Sequence, residues 1–127
     1  MGIDDIVLNW IKKAESDLKT AKDEIQTENP AEDTICFQGQ QCIEKFLRFG
    51  KTHNIAELIE LCKEIDEDFE KLYDIKAESL TPYAVEIRYP DEFYFPSLEE
   101  AKEAIKIAEE VKSFVIEKLN KSGFLKK

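Results

Sequence analysis

Apolar residues recur at helical spacing along most of this chain, and that periodicity limits its fold more than any other feature. In the first segment they stand three or four positions apart: Val7, Ile11, Ala14, Leu18, Ala21 and Ile25. This spacing puts apolar side chains on one face of an α-helix, whereas a half-buried strand needs strict alternation. No segment of the sequence alternates in that way. We therefore expect an all-α fold, an antiparallel up-and-down bundle of four to five helices, and a single domain over residues 1–127.

Short polar motifs indicate where the predicted helices begin. Asn54 and Ser97 are each followed three residues later by glutamate, the pattern of a capping box at a helix N-terminus. Asn29-Pro30 and Thr81-Pro82 are typical of a cap followed by proline at the first helical position. Gly39 lies inside the second helical segment, where glycine costs about 1 kcal/mol relative to alanine. We expect this glycine to permit the close approach of a neighbouring helix.

The chain is strongly acidic, with 28 Asp and Glu residues, 18 Lys and Arg residues and a net charge of −10. Such a charge repels polyphosphate at long range, so it argues against sequence-independent DNA binding. A phosphate group would have to bind in a local basic pocket. Only two of the cationic residues are arginines, Arg48 and Arg88, and arginine is the residue suited to bidentate phosphate contacts.

The cysteines and the lengths of the apolar runs indicate in which compartment the protein is expected. No apolar run approaches the roughly 20 residues that span a bilayer, and no basic N-terminal region precedes an apolar stretch, so we expect a cytoplasmic protein without a membrane segment. Cys36, Cys42 and Cys62 are odd in number and lie in helical patterns, which favours three buried thiols. With a single histidine, His53, they do not make a four-ligand zinc site. We predict no metal and no cofactor.

Five short motifs follow one another in a recognisable order. They are Trp10-x3-Ala14-x2-Asp17-Leu18, Cys36-Phe37-x2-Gln40-Gln41-x2-Glu44-Lys45, Lys51-Thr52-His53-Asn54, Arg88-Tyr89-Pro90-Asp91 and an alanine-rich final helix. In this order they resemble the HEPN domain family, the nucleotide-binding domains of higher eukaryotes and prokaryotes. The resemblance covers nearly the whole chain.

The resemblance implies a homodimeric bundle that binds nucleotides in some branches of the family and cleaves RNA in others. Family members often pair with a minimal nucleotidyltransferase in a two-protein system of the toxin–antitoxin type. Our leading hypothesis is therefore a non-catalytic, nucleotide-binding partner of such an enzyme. Two alternatives stay open: a metal-independent ribonuclease toxin and a purely structural dimerisation module.

One departure from the family pattern bears on dimerisation. Only residues 46–50 separate the Glu44-Lys45 pair from the Lys51-Thr52-His53 motif, where the family continues its second helix for several turns. We expect a short second helix that leaves part of the first helix's apolar face uncovered. The aromatic run Phe93-Tyr94-Phe95 also needs cover, from this chain or from a second copy. Both features favour a homodimer.

The resemblance places the candidate nucleotide site in two segments. In the first, Arg88 would hold a phosphate, Tyr89 would stack on a base, and Asp91 would accept from a ribose or base edge. The second contributes a polar network on the second helix: Gln40, Gln41, Glu44 and Lys45. Each segment also has a structural interpretation, because Arg88 can satisfy the last carbonyls of a helix. The polar network can equally hold the helices together.

Arg48 and His53 offer the one candidate catalytic pair. Their spacing fits the Arg-x(4–6)-His motif of the RNA-cleaving members, which need a cation for the phosphate and an imidazole for proton transfer. The pair stands between two predicted helices, however, whereas the family carries its motif on a late helix. His53 can instead stabilise the backbone at the start of the third helix. Whether the chain is an enzyme therefore stays open, with ribonuclease as the candidate activity.

Overall fold

Helices and the turns between them make up the computed structural model, which describes residues 2–47, 54–84 and 95–121. In chain order the elements are α1 (Ile3–Glu24), α2 (Glu32–Phe46), α3 (Ile55–Lys63), a 3₁₀ helix (Glu67–Glu70), the one-turn α4 (Lys71–Asp74), a second 3₁₀ helix (Ala77–Ala84) and α5 (Leu98–Lys121). No strand occurs within these residues. The predicted all-α bundle is confirmed. Every helix in the described ranges is too short or too polar to cross a membrane.

The capping predictions are confirmed at two helices and wrong at a third site. The Asn54 side chain accepts from the Glu57 backbone N–H at 3.2 Å, and Ser97 Oγ accepts from the Glu100 N–H at 3.1 Å. Thr81 and Pro82 do not begin a helix, because they lie inside the second 3₁₀ helix. Thr81 Oγ1 instead accepts from the backbone N–H of Ile55 at 3.0 Å. Thr81, although distant in sequence, therefore supplies a hydrogen-bond acceptor for a backbone N–H in the first turn of α3.

The turn between α1 and α2 is held by a side chain of α1. Glu24 Oε2 accepts from the backbone N–H of Ala31 at 3.0 Å. The Ile35 N–H donates to the Ala31 carbonyl at 3.0 Å, so α2 begins at Glu32 and the prediction that Pro30 takes the first helical position is wrong. The chain reverses here, which makes α1 and α2 neighbours.

Ion pairs show the relative directions of the long helices. Lys45 of α2 pairs with Asp17 of α1 at 2.6 Å, and Lys112 of α5 pairs with Glu15 at 3.2 Å. Lys22, later in α1, pairs with Glu109, earlier in α5, at 3.1 Å. Hence α1 runs antiparallel to α5 and, by its short turn, to α2. Apolar side chains from all three helices and from α3 fill the core, among them Leu18, Ile35, Ile43, Leu58, Ile59 and Val111.

Gly39 lies where α2 contacts both α5 and the second 3₁₀ helix. A Cβ atom placed on this glycine would lie 3.3 Å from Ala104 Cβ and 3.3 Å from Leu80 Cδ2. These distances are at the limit of ordinary carbon contacts. The predicted close approach is confirmed, and it fixes α2 against the segment that leads to Arg88.

The three cysteines are buried, as the sequence predicted. Burial raises the pKa of the Cys36 and Cys62 thiols to about 11 and that of Cys42 to about 12. All three thiols are therefore protonated at neutral pH and act as small apolar side chains.

The N-terminal turns of α1 extend past the end of α2. At 1.5 Å per residue α1 is roughly 33 Å long and α2 roughly 22 Å. Ile6 is 44% exposed and Leu8 is 37% exposed on these turns. The short second helix of the prediction is present, and with it two exposed apolar side chains on α1.

Candidate functional site

Three polar residues form a hydrogen-bonded cluster on α2. Gln40 is 0% exposed and Glu44 is 3% exposed. Gln40 Nε2 donates to Glu44 Oε2 at 3.0 Å. Gln41 Nε2 donates to Gln40 Oε1 at 2.7 Å and to Glu44 Oε2 at 3.4 Å. We call Gln40, Gln41 and Glu44 the α2 polar cluster.

Helical spacing explains why these side chains meet. Residues four apart are stacked on one face, so Gln40 lies directly before Glu44. A buried carboxylate is costly unless donors surround it, and the two amide groups supply such donors. The network that the sequence predicted is therefore present for these three residues.

Lys45, the fourth residue of the predicted network, is not part of the α2 polar cluster. Its Nζ lies 2.6 Å from Asp17 Oδ2 of α1, and both side chains are largely buried. One residue along a helix is a rotation of about 100°, which turns Lys45 from Glu44 towards α1. Its observed role is to link α2 to α1.

The segment that leads to Arg88 is anchored beside α2. The Tyr83 hydroxyl donates to Glu100 Oε2 at 2.8 Å and lies next to the Cys36 thiol. Burial, followed by the hydrogen bond to Glu100, raises the pKa of Tyr83 well above its usual value. This pair joins the end of the second 3₁₀ helix to the first turn of α5, at the level of Cys36 on α2. The α2 polar cluster begins one turn further along α2.

The described chain resumes at the same end of the bundle, at residue 95. Pro96 is buried, and Ser97 caps α5. Tyr83 and Ser97, on either side of residues 85–94, therefore both lie at the first turn of α5. The predicted site residues Arg88, Tyr89 and Asp91 lie outside the described residues, as do Phe93 and Tyr94.

The candidate catalytic pair also lies outside the described residues. Arg48 and His53 fall between Leu47, which ends α2, and Asn54, which caps α3. His53 is the one histidine of the chain. The buried thiols and the hydrogen-bonded Tyr73, whose pKa rises to about 12, are not ionised at neutral pH. Imidazole is the side chain whose ordinary pKa lies nearest neutrality, so His53 stays the candidate for proton transfer.

A cleft that the sequence did not predict lies at the opposite end of the bundle. It has a volume of about 200 Å³ and is lined mainly by Val7, Trp10, Ile11, Phe46, Phe69 and Leu119. At its edge Lys118 pairs with Asp66 at 2.7 Å and with Asp68 at 2.6 Å. These residues carry the same periodic pattern as the core, so periodicity alone contains no signal that separates the cleft from the core.

Comparison with known proteins agrees with the motif order. The family model of the HEPN domain matches residues 7–119. No curated protein and no solved structure matches the chain. The match spans most of α1, all of α2 and α3 and nearly all of α5, and so includes the α2 polar cluster and the Arg88 segment. This chain belongs to the HEPN domain family.

Proposed function

We propose that this HEPN domain binds a nucleotide between the α2 polar cluster and the segment that carries Arg88. The observation that supports the site is the anchoring of that segment: Tyr83 and Glu100 hold one end, and Ser97 caps α5 at the other. The Tyr83 end lies beside Cys36 of α2, one turn before Gln40. A segment of ten residues that starts and ends there needs little length to reach Gln41.

Each group has a chemical role in the proposed site. Arg88 holds a phosphate through charge-assisted hydrogen bonds, and Tyr89 stacks on the base. Asp91 accepts from the ribose or from a base edge. Gln41 is half-buried and meets the ligand, while Gln40 and Glu44 fix its orientation from the interior.

The proposed physiological role is that of a non-catalytic partner of a minimal nucleotidyltransferase, in a two-protein system of the toxin–antitoxin type. Membership of the HEPN family supports this role. The proposed active form is a homodimer, supported by the exposed Ile6 and Leu8 on α1 and by Phe95, which is 75% exposed. Exposed apolar side chains such as these can belong to an interaction surface. The reading frame beside the gene tests the partner: it should encode a small nucleotidyltransferase.

Calorimetric titration with ATP, GTP and AMP tests the ligand. Wild type should bind at least one of them, and Arg88→Ala should bind it about tenfold or more weakly, because a hydrogen bond to a charged group is lost. Gln26→Leu, an exposed glutamine after α1, is the control and should bind like wild type. Absence of binding heat for wild type at millimolar ligand would disprove the nucleotide site.

The spacing of Arg48 and His53 supports a second candidate, a metal-independent ribonuclease. Purified protein and His53→Ala would be incubated with single-stranded RNA in the presence of a chelator. Cleavage by wild type that is lost in His53→Ala would favour this candidate. Equal survival of the RNA in both samples would eliminate it.

A further inference from the structure

One side of α3 packs into the core, and the opposite side faces solvent. The buried side carries four apolar residues at helical spacing: Ile55, Leu58, Ile59 and Cys62. The opposite side forms a shallow depression of about 440 Å³, lined by Asn54 and by Ala56, Glu57, Glu60, Leu61 and Glu64. We call the last five residues the outer face of α3. Described residues alone line this depression.

The outer face of α3 is negatively charged. Glu57 and Glu64 are exposed, and neither forms an ion pair within the part of the chain that the structure describes. Glu60 accepts from the Tyr73 hydroxyl at 2.5 Å, and this hydrogen bond lowers the pKa of Glu60, so its carboxylate is ionised at neutral pH. Lys63 lies over the Tyr73 ring and pairs with Glu60 at 3.5 Å. Three carboxylates therefore share one lysine, and the face keeps a net negative charge.

Apolar side chains lie among these carboxylates. Leu61 is half-buried four residues after Glu57, and Ile65 follows Glu64 in the turn after α3. Ile65 is 73% exposed, and among the large apolar side chains of the described residues only Phe95 is more exposed. An apolar centre with charged residues at its rim is the arrangement found in protein–protein interfaces.

We infer that the outer face of α3, together with Ile65, binds a basic amphipathic helix of a partner protein. The apolar side chains of that helix contact Leu61 and Ile65, and its lysines or arginines pair with the three glutamates. α3 has nine residues and is roughly 14 Å long, so two to three turns of the partner helix cover it. The inference does not rest on the proposed nucleotide site, because it uses none of the residues of that site.

Other classes of ligand match the outer face of α3 less well. A nucleic acid has the same sign of charge and is repelled. Within the described ranges no group of three or more His, Cys, Asp or Glu side chains is arranged to hold a metal ion. A polyamine matches the charge but has no bulky apolar group that would cover Ile65. The combination of carboxylates and exposed apolar side chains therefore favours a basic protein helix.

Two synthetic peptides test the inference. The first is a helical peptide of about 18 residues made of alanine, leucine and lysine, with the leucines on one side and lysines along both edges of that side. In the second, alanine replaces every leucine. In calorimetry at about 0.15 M salt, wild type should bind the leucine peptide at least roughly tenfold more tightly, because only that peptide buries large apolar side chains.

Substitutions locate the binding on α3. Glu57→Gln/Glu64→Gln should bind the leucine peptide roughly 3- to 10-fold more weakly than wild type, the effect of two exposed ion pairs. Ile65→Ser should weaken binding severalfold, because an apolar contact is lost. The matched control is Glu103→Gln/Glu110→Gln on α5, which changes the net charge by the same amount. This control should bind the peptide like wild type.

The outcomes decide between a site and general attraction to an acidic chain. Weaker binding in Glu57→Gln/Glu64→Gln alone, together with the preference for the leucine peptide, would support the inference. Equal losses in the two double variants would overturn it, because the peptide would then follow net charge. Equal affinity for the two peptides would also overturn it, since any cation would then suffice. No binding of the leucine peptide to wild type at about 100 μM would contradict it directly, without any substitution.

Discussion

The Tyr83 hydroxyl lies 2.8 Å from Glu100 Oε2, so the last turn before the Arg88 segment is tied to the first turn of α5. Tyr83 also lies beside Cys36 of α2. One phenol thus joins three elements at the point where the chain departs towards Arg88. This contact holds Tyr83 beside Cys36, one turn of α2 before the α2 polar cluster.

Tyr83→Phe removes that anchor while keeping the ring. We expect the free energy of unfolding to fall by about 1 kcal/mol, the cost of one hydrogen bond. Nucleotide affinity should fall severalfold, because the Arg88 segment loses its fixed starting point. Urea unfolding and calorimetry measure the two effects.

Tyr73→Phe is the matched control for that prediction. The Tyr73 hydroxyl donates to Glu60 Oε2 at 2.5 Å and lies 3.3 Å from the Ala56 carbonyl oxygen, both on α3 and not on α5. It should lower stability by a similar amount and leave nucleotide affinity unchanged. If both phenylalanine variants lose affinity equally, the Tyr83 anchor has no particular connection with the site.

Lys45→Met tests whether Lys45 is structural, as its contact with Asp17 indicates. Loss of a partly buried ion pair should cost roughly 1–2 kcal/mol, between the values for exposed and for buried pairs. Nucleotide affinity should remain within about twofold of wild type. A tenfold loss of affinity with little change in stability would instead place Lys45 in the nucleotide site.

Alanine at position 39 should leave stability nearly unchanged, whereas valine should lower it. Alanine gains about 1 kcal/mol of helix propensity, which offsets the displacement of Leu80 and Ala104 by its methyl group. We therefore expect Gly39→Ala to change the free energy of unfolding by less than about 1 kcal/mol. Gly39→Val adds two further carbons against the same neighbours and should cost roughly 1–3 kcal/mol. A valine variant as stable as wild type would mean that α2 and α5 are further apart here.

Stability should decrease above about pH 9. The folded-state pKa values of the thiols, about 11 to 12, lie above their ordinary value of 9.0. Between these values the unfolded chain releases protons that the folded chain retains, so rising pH favours unfolding. Each thiol contributes up to about 1.4 kcal/mol per pH unit. Urea unfolding at pH 8 to 11 measures this decrease. Cys42→Ala should weaken the dependence of the free energy of unfolding on pH. An unchanged dependence would contradict burial of the thiol as the cause.

Light scattering at micromolar concentration should give twice the monomer mass. Ile6→Lys should shift the protein towards the monomer, because it puts a charge into the apolar surface of α1. Ile65→Lys changes an isoleucine that is 73% exposed outside α1 and should leave the dimer intact. A monomeric wild type would rule out the dimer.

The sequence predicted those parts of the fold that depend on local chemistry. The caps at Asn54 and Ser97 follow from side chains that reach a backbone N–H three residues away. The close contact at Gly39 follows from the cost of glycine within a helix. The caps involve residues close in sequence, and the glycine carries a strong local penalty. The sequence pattern alone is therefore enough to predict these contacts.

Long-range contacts could not be predicted in the same way. Thr81 has the local signature of a cap, yet its hydroxyl bonds to Ile55 of α3. Lys45 follows Glu44 in a polar motif, yet its partner is Asp17. The choice of partner depends on packing of distant segments, which single-sequence patterns do not contain. The orientation of the Gln41 amide likewise emerges only when the hydrogen bonds to Gln40 and Glu44 are known.

Nuclear magnetic resonance of ¹⁵N-labelled protein during titration with ATP or GTP tests most directly whether the Arg88 segment and the α2 polar cluster form one site. The side-chain amide signals of Gln41 and the backbone signals of residues 86–91 should shift together, with one common dissociation constant. Signals of Gln26 should stay in place. Shifts in one of the two regions without the other, or no shifts at millimolar nucleotide, would contradict the account.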